Sequence, residues 1–280
     1  MLKQIVEREE KNEDIILDVT NKRVILYQYD SDWLEEELDA LKKAALKQNI
    51  DKITVYGQEE DISLLRGLPL KKEGEIEGFF DGETAFIYSI FLNQSRTVQP
   101  LKEEQRHIIE SAQEKNTIPK TLDLPEGFEL RRAKESDVIE MANVFGKVFK
   151  SYPTPMNEPK YVKKVMKEDT LFSLVTHEDR IVSIASADIN PKYNNAEITD
   201  CATLPEYRGK GLLTRIMFHL EDRLRVKEVP NLFSLTRAQS YGMNHAVAKH
   251  GYGFQGTLIQ NCDISGSFED MNIWVKILKT

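Results

Sequence analysis

The stretch TLPEYRGKGLLTRIM, Thr203 to Met217, constrains the fold more than any other part of the chain. A β-rich run, ITDCAT, leads into it, Pro205 breaks the extended run, and an amphipathic helix pattern starts around Gly209. The stretch therefore predicts a strand, a glycine turn and a helix in immediate succession. N–H groups at a helix start lack intrahelical partners and sit at the positive end of the helix dipole, so they form an anion nest. Gly209 and Gly211 let the backbone approach a phosphate closely, and Arg208 and Lys210 supply positive charge. A diphosphate ligand fits this design. The stretch lacks the Gly-x-x-x-x-Gly-Lys-Ser/Thr of a nucleoside-triphosphate loop. It also lacks the Gly-x-Gly-x-x-Gly and distal acid of a dinucleotide fold.

The totals narrow the class. A chain of 280 residues suffices for one large domain or two modest ones. Its net charge of −8 disfavours nucleic acid as a partner and suits a cationic small substrate. The two cysteines, Cys201 and Cys262, stand alone, which points to a reducing compartment and away from a disulfide scaffold or a zinc site. The N-terminal MLKQIVEREEKNEDIILDV is too charged for a signal peptide, and no run approaches the ~20 apolar residues of a membrane span. A cytoplasmic protein with no membrane partner is expected.

Strand and helix signals alternate along the chain. The first part reads as DIILDV and RVILYQY strands, a helix over SDWLEEELDALKKAALKQ, a KITVYG strand, a short helix and a hairpin around Asp81-Gly82. Residues 96–125, with a polar helix and then two prolines, read as a linker, and a boundary falls near Leu122. Three regions are thus expected: an N-terminal α/β domain over 1–95, the linker, and a second domain over 126–280. The second domain should run strand, two helices, three strands, the glycine turn with its helix, strand, helix, two strands.

Arg208-x-x-Gly211 between strand and helix resembles the coenzyme A loop of the GNAT N-acetyltransferases, whose pattern is Gln/Arg-x-x-Gly-x-Gly/Ala. Leu213 departs from it, standing where a small residue is usual. The resemblance covers Glu126 to about Thr280. It implies an α/β (α+β) GNAT fold with a mostly antiparallel, splayed central sheet, acetyl-CoA as cosubstrate and no metal. It implies that Arg208, Gly209, Lys210, Gly211 and Leu212 hold the pyrophosphate. The backbone of Cys201, Ala202 and Thr203 would pair with the pantetheine arm, leaving Cys201 as a small apolar strand residue. Asn244 matches the family's cofactor-contacting Asn, with a plain helix-start polar residue as the alternative. The Tyr that usually protonates the departing thiolate is replaced by Val247; Tyr241, Tyr252, His245 and water are the other candidates.

Acetyl transfer to an amine needs a neutral amine, and a free alkylamine of pKa ~10.4 is protonated at neutral pH. Glu197 and Asp200 are the candidate bases on the strand before the loop. Three apart, they point to opposite faces of a regular strand, so both enter the site only if the strand bulges. Asp188 and Tyr152 are candidate lining residues for the acceptor.

RRAKESDVIEMANVFGKVFKSYPTP, AEITDCATLPEYRGKGLL, YGMNHAVAKHGYGFQGTLIQNCDISGSFEDMNIWVK and GEIEGFFDGETAFIYSIFL together resemble the β-lysine N-acetyltransferases of bacteria and methanogenic archaea. That resemblance implies a small cationic amino-acid substrate, Nε-acetyl-β-lysine as an osmolyte product and a functional link to lysine 2,3-aminomutase; a homodimer is among the expected assemblies. Acetylation of a protein N-terminus or lysine, and acetyl-CoA binding without turnover, are the other readings. The LLRGLPLKKEGEIEGFFDGETAFIYSIFL segment resembles the helix–turn–hairpin end of the same fold without its glycine loop, which predicts a degenerate or partial GNAT-like N-terminal half, with an unrelated small α/β domain as the alternative.

Overall fold

The computed structural model describes residues 14–114, 117–120, 123–149, 152–264 and 266–279. The expected boundary at Leu122, and Ser151 of the SYPTP loop, lie outside the described residues. The first half forms β1 (Ile15–Asp18), β2 (Arg23–Leu26), α1 (Leu34–Leu46), β3 (Lys52–Gly57), α2 (Ile62–Gly67), β4 (Lys71–Phe80) and β5 (Glu83–Phe91). α1 buries Leu34, Leu38, Leu41, Ala44 and Ala45, one stripe at helical spacing. The β4–β5 hairpin turns through Asp81 at φ 50° and Gly82 at φ 104°, the positive values a tight hairpin requires.

α3 (Lys102–Gln113) follows, and then β6 (Phe128–Arg132), α4 (Val138–Val148), α5 (Pro159–Lys167), β7 (Thr170–His177), β8 (Arg180–Asn190) and β9 (Asn195–Thr203). The chain ends with α6 (Leu212–Val226), β10 (Asn231–Arg237), α7 (Tyr241–Lys249), β11 (Gly253–Ile264) and β12 (Ser267–Ile277). This order matches the one predicted for 126–280, and the α/β architecture is as expected. The stretch read as a linker is docked: Ser111 Oγ lies 3.2 Å from His245 Nε2 of α7, and the Ile118 N–H donates to the Lys249 carbonyl at 2.8 Å.

All these strands join one sheet of twelve, in the order β1-β2-β3-β5-β4-β11-β12-β10-β9-β8-β7-β6. The chain traces one path twice. β2-α1-β3-α2-β4-β5 gives the spatial order β2-β3-β5-β4; β9-α6-β10-α7-β11-β12 gives β9-β10-β12-β11. In each path the first two strands are parallel and the last two form a hairpin. The two paths meet edge to edge through β4 and β11, at Gly74 opposite Gly256.

The junction leaves no room for side chains there. A Cβ on Gly256 would lie 2.4 Å from the Gly74 Cα and 2.5 Å from the Glu73 carbonyl oxygen, at φ +144°. Beside it, Lys52 Nζ and Glu73 Oε2 pair at 2.8 Å with neither side chain exposed. Lys52 Nζ also donates to the Ile259 carbonyl at 2.9 Å, while Glu73 Oε1 accepts the Ile259 N–H at 2.6 Å. A buried ion pair survives only when its remaining donors and acceptors are satisfied, and β11 satisfies them here. Gly256→Val should therefore cost roughly 3–5 kcal/mol, from overpacking plus backbone strain. Urea unfolding reads this; a midpoint equal to that of the unaltered protein would disprove the tight junction.

The main core packs α4, α6 and α7 on the sheet of the second half, with Phe145, Leu174, Ile184, Ile216, Leu220 and Trp274 fully buried. A second cluster, rich in aromatics, sits where the two halves meet. Phe79 stands 5.0 Å from Phe80 and 5.7 Å from Phe233, ring centre to ring centre, and Phe80 stands 5.1 Å from Tyr193.

Candidate active site

β9 and β10 run parallel and pair at Asn231–Asn195, Leu232–Ala196 and Phe233–Glu197. Past that point no ladder joins them among the described residues, although both strands continue, to Thr203 and Arg237. The strands splay. The Ser234 hydroxyl, donating to the Ile198 carbonyl at 2.7 Å, bridges them at the apex. Beyond it this side of β9 has no strand partner among the described residues, which leaves an edge open around Cys201, while the Thr203 carbonyl accepts from Arg208 Nε. A cleft of about 260 Å³ opens here, lined by this edge, by Leu235 to Arg237, by the α4–α5 segment and by residues of β2 and β11.

β9 bulges at the critical place. Thr199 pairs with Ser186 and Ala202 with Ile184, so Asp200 and Cys201 together oppose Ala185. Asp200 takes φ +49°, a left-handed conformation that Asp tolerates better than most residues. The extra residue resets the alternation, and Glu197 and Asp200 both line the cleft. Asp188 joins them, directly opposite Glu197 across the β8–β9 ladder.

Three carboxylates in one cleft hold protons more tightly than free ones. Burial pushes Glu197 up to about 8, with Asp188 and Asp200 adding to the rise and the Leu235 N–H opposing it. Burial likewise pushes Asp200 up to about 6, opposed by hydrogen bonds from Ser186 Oγ at 2.6 Å and from Tyr152. Asp188, raised by burial, accepts the Thr170 hydroxyl at 3.0 Å. An ammonium in the cleft would relieve this crowding of acids.

The glycine turn lies at the other end of β9. Gly211 caps α6 at φ +74°, and Gly209 has φ +78°. A Cβ at either would meet no atom within 4 Å, so the turn is open on its outer side. Among the described residues the N–H groups of Gly209 to Leu213 have no partner in the chain. Arg208 Nε donates back to the Thr203 carbonyl at 3.2 Å, bracing the loop against β9, and Lys210 is exposed. This cradle fits a diphosphate: open donors, positive φ at both glycines, and the dipole of a 15-residue helix behind them. Leu213, the misfit to the sequence pattern, is half-buried against the main core, and Leu212 is buried.

The remaining expected residues fall in distinct places. Tyr152 lines the cleft, stacked on Phe149 at 4.4 Å. The Cys201 side chain also faces the cleft, but burial, with Asp200 and Glu197 beside it, drives its thiol well above the usual range, away from nucleophilic use. Asn244 is 0 % exposed and fully engaged. Its amide nitrogen donates to the carbonyls of Arg237 and Ser240, and its oxygen accepts from Thr236, Asn272 and Trp274 at 2.8–2.9 Å. The structure thus places Asn244 behind the cleft, where it fixes Thr236, Arg237 and Ser240, and not in contact with it. Val247 is core. Tyr241 is 57 % exposed and stacks on His245, while Tyr252 is buried; none of the three candidate acids lines the cleft.

One lining residue had no sequence signal. Arg23 of β2 reaches the cleft from the first half of the chain. It stands 174 residues before Glu197, and the meeting of the two halves, through the β4–β11 junction and its own bond to the Asn261 carbonyl, brings them to one place.

Residues 138–252 match the model of the acetyltransferase (GNAT) family. The chain is 37% identical over 259 residues to N-acetyltransferase YodP of Bacillus subtilis, covering 92% of this chain and 93% of that one. It is 36% identical over 264 residues to a beta-lysine N(6)-acetyltransferase of Methanosarcina mazei, covering 87% and 97% respectively. A beta-lysine N(6)-acetyltransferase of Methanococcus maripaludis is 31% identical over 205 residues, 73% of this chain and 74% of that one.

Proposed function

The chain belongs to the GNAT acetyltransferase family and is an acyltransferase, and we propose that its reaction is acetylation of the ε-amine of β-lysine, with acetyl-CoA as cosubstrate. The single observation that carries the cationic acceptor is the trio Asp188, Glu197 and Asp200, brought to one cleft by the β8–β9 ladder and the β9 bulge. The walls of the cleft suit a small molecule better than a protein segment. Phe149, Tyr152 and Met156 close one side, and Arg23, Cys262 and Ile264 close the side facing the first half. The relatives from Methanosarcina mazei and Methanococcus maripaludis, named for β-lysine, support the specific acceptor.

The geometry supports the following roles. Arg208 and the backbone from Gly209 to Leu212 would hold the pyrophosphate, and the free edge of Cys201 to Thr203 the pantetheine arm. Acetyl-CoA supplies an activated acyl group on a thiol leaving group, which needs a weaker acid than an alkoxide would. Glu197 takes the proton from the bound ammonium. A carboxylate with pKa near 8 is a stronger base than a free one, and it sits where the two strands part. Asp200, fixed by Ser186 and Tyr152, orients the same ammonium. A backbone N–H of the splayed edge is placed to polarise the acyl carbonyl. The N-terminal half is a partial GNAT-like unit: its topology repeats that of β9 to β12, and it lacks a glycine loop.

The test is thiol release from acetyl-CoA with β-lysine, lysine and a short peptide as acceptors. Saturable release with β-lysine, and a product one acetyl heavier, is the expected result. Turnover with peptides but no amino acid, or tight coenzyme binding with no turnover on any amine, would sink the proposal.

A further inference from the structure

The cleft is bipolar. Its acids cluster at the splay, and its cations come from two other places, Arg237 at the end of β10 and Arg23 on β2. Arg237 already grips a carboxylate with two nitrogens, Nε and Nη2 on Glu269 at 2.7 and 2.5 Å. Arg23 makes no such bidentate pair. Its Nε donates to Asp18 Oδ2 at 2.9 Å and its Nη1 to the Asn261 carbonyl at 3.2 Å, while Nη2 has no hydrogen-bond partner among the described residues. The side chain is 14% exposed and cannot swing freely, because Asp18 is itself pinned by the Asn21 N–H at 3.0 Å and Asn21 Nδ2 at 2.7 Å. A half-filled, preorganised guanidinium inside a cleft is a carboxylate receptor. Leu235, Met243, Ile264 and Met271 add apolar side chains to the lining.

We infer that Arg23 holds the carboxylate of the acceptor, so that the N-terminal half selects a substrate bearing an amine at one end and a carboxylate at the other. The inference deepens the proposed function and rests on it. It gives the N-terminal half a task. That half carries no glycine loop and none of the three acids, yet its β2 is held against β11 by Arg23 itself and by Arg96, which bonds the Asn21, Lys22 and Gln260 carbonyls. Through these bonds the receptor end of the cleft is built from both halves. The chemical class that fits is a linear diamino acid, not a diamine and not a peptide.

Kinetics on β-lysine and on its carboxamide test the inference with the full-length protein. The unaltered enzyme should show a KM for the carboxamide roughly 10- to 100-fold above that for β-lysine, the range of a charge-assisted hydrogen bond. Arg23→Gln should raise the β-lysine KM to the carboxamide level. It should leave the carboxamide KM and the acetyl-CoA KM where they were. Arg23→Lys, which keeps the charge but loses the fork, should fall between. A uniform rise for both acceptors in Arg23→Gln would show a merely structural role and overturn the inference, as would an unaltered enzyme that accepts acid and amide equally well. Turnover of both acceptors without discrimination leaves the acetyltransferase reading standing, whereas turnover of neither removes that reading and the inference with it.

Discussion

Glu197→Gln should lower kcat by roughly 100- to 10,000-fold, the span of a lost general base, while the KM for acetyl-CoA stays within a factor of about two. The amide is nearly isosteric and still accepts the Leu235 N–H, so the splay survives and the proton acceptor does not. The pH profile gives the sharper test. Glu197 faces Asp188 from β8, Asp200 from its own strand and Arg23 from β2. A base must be ionised, and the ionised fraction of a carboxylate raised to about 8 grows as pH rises toward that value. kcat/KM for the acceptor should therefore climb between about pH 6 and pH 8, and Glu197→Gln should lose the upper part of that climb. An unchanged profile in the variant would move the base elsewhere.

The same protonation has a thermodynamic signature. The folded-state pKa of Glu197 lies above its unfolded value of 4.5, so the folded state binds the proton more tightly. Stability from this source is fully present below about 4.5 and is lost as pH rises through about 8. In the absence of substrate the melting temperature should fall across that window, and it should fall less in Glu197→Gln.

Local signals made the catalytic half legible. Each strand and helix of 126–280 has its own apolar period and its own breakers, and the glycine turn carries its chemistry in consecutive residues. The roles of Glu197 and Asp200 were legible only as a condition. Three apart on a strand, they share a face only across a bulge, and the bulge depends on pairing with Ala185 of another strand. Asn244 shows the opposite difficulty. Its place in the helix gives no sign that Thr236, Asn272 and Trp274 converge on its oxygen from two neighbouring strands. Arg23 had no signal at all, because a lone Arg in a short strand looks like a solvated surface charge. What places it is the meeting of the two halves, at Gly74 with Gly256 and through its own bond to the Asn261 carbonyl, which a reading by segments leaves apart.

Gly211→Val should raise the KM for acetyl-CoA by more than about 30-fold, with the acceptor KM nearly constant. The argument separates strain from recognition. At φ +74° a β-branched residue is strained by about 1–3 kcal/mol. No neighbour lies within 4 Å of the position, so the fold itself has room for the side chain. The strain is relieved if the turn rotates toward negative φ, and that rotation swings the N–H groups of Lys210 to Leu213 away from the anion they would share. Gly82 is the matched control. It also has positive φ, at +104°, and also has no neighbour within 4 Å, but it lies in the β4–β5 turn. Gly82→Val should therefore lose a comparable amount of stability and leave the acetyl-CoA KM unchanged. Equal effects of the two substitutions on that KM would mean that strain, transmitted through the fold, accounts for the loss. An effect confined to Gly211 locates the pyrophosphate at the mouth of α6, since both positions have positive φ and no neighbour within 4 Å but the two turns face different surroundings.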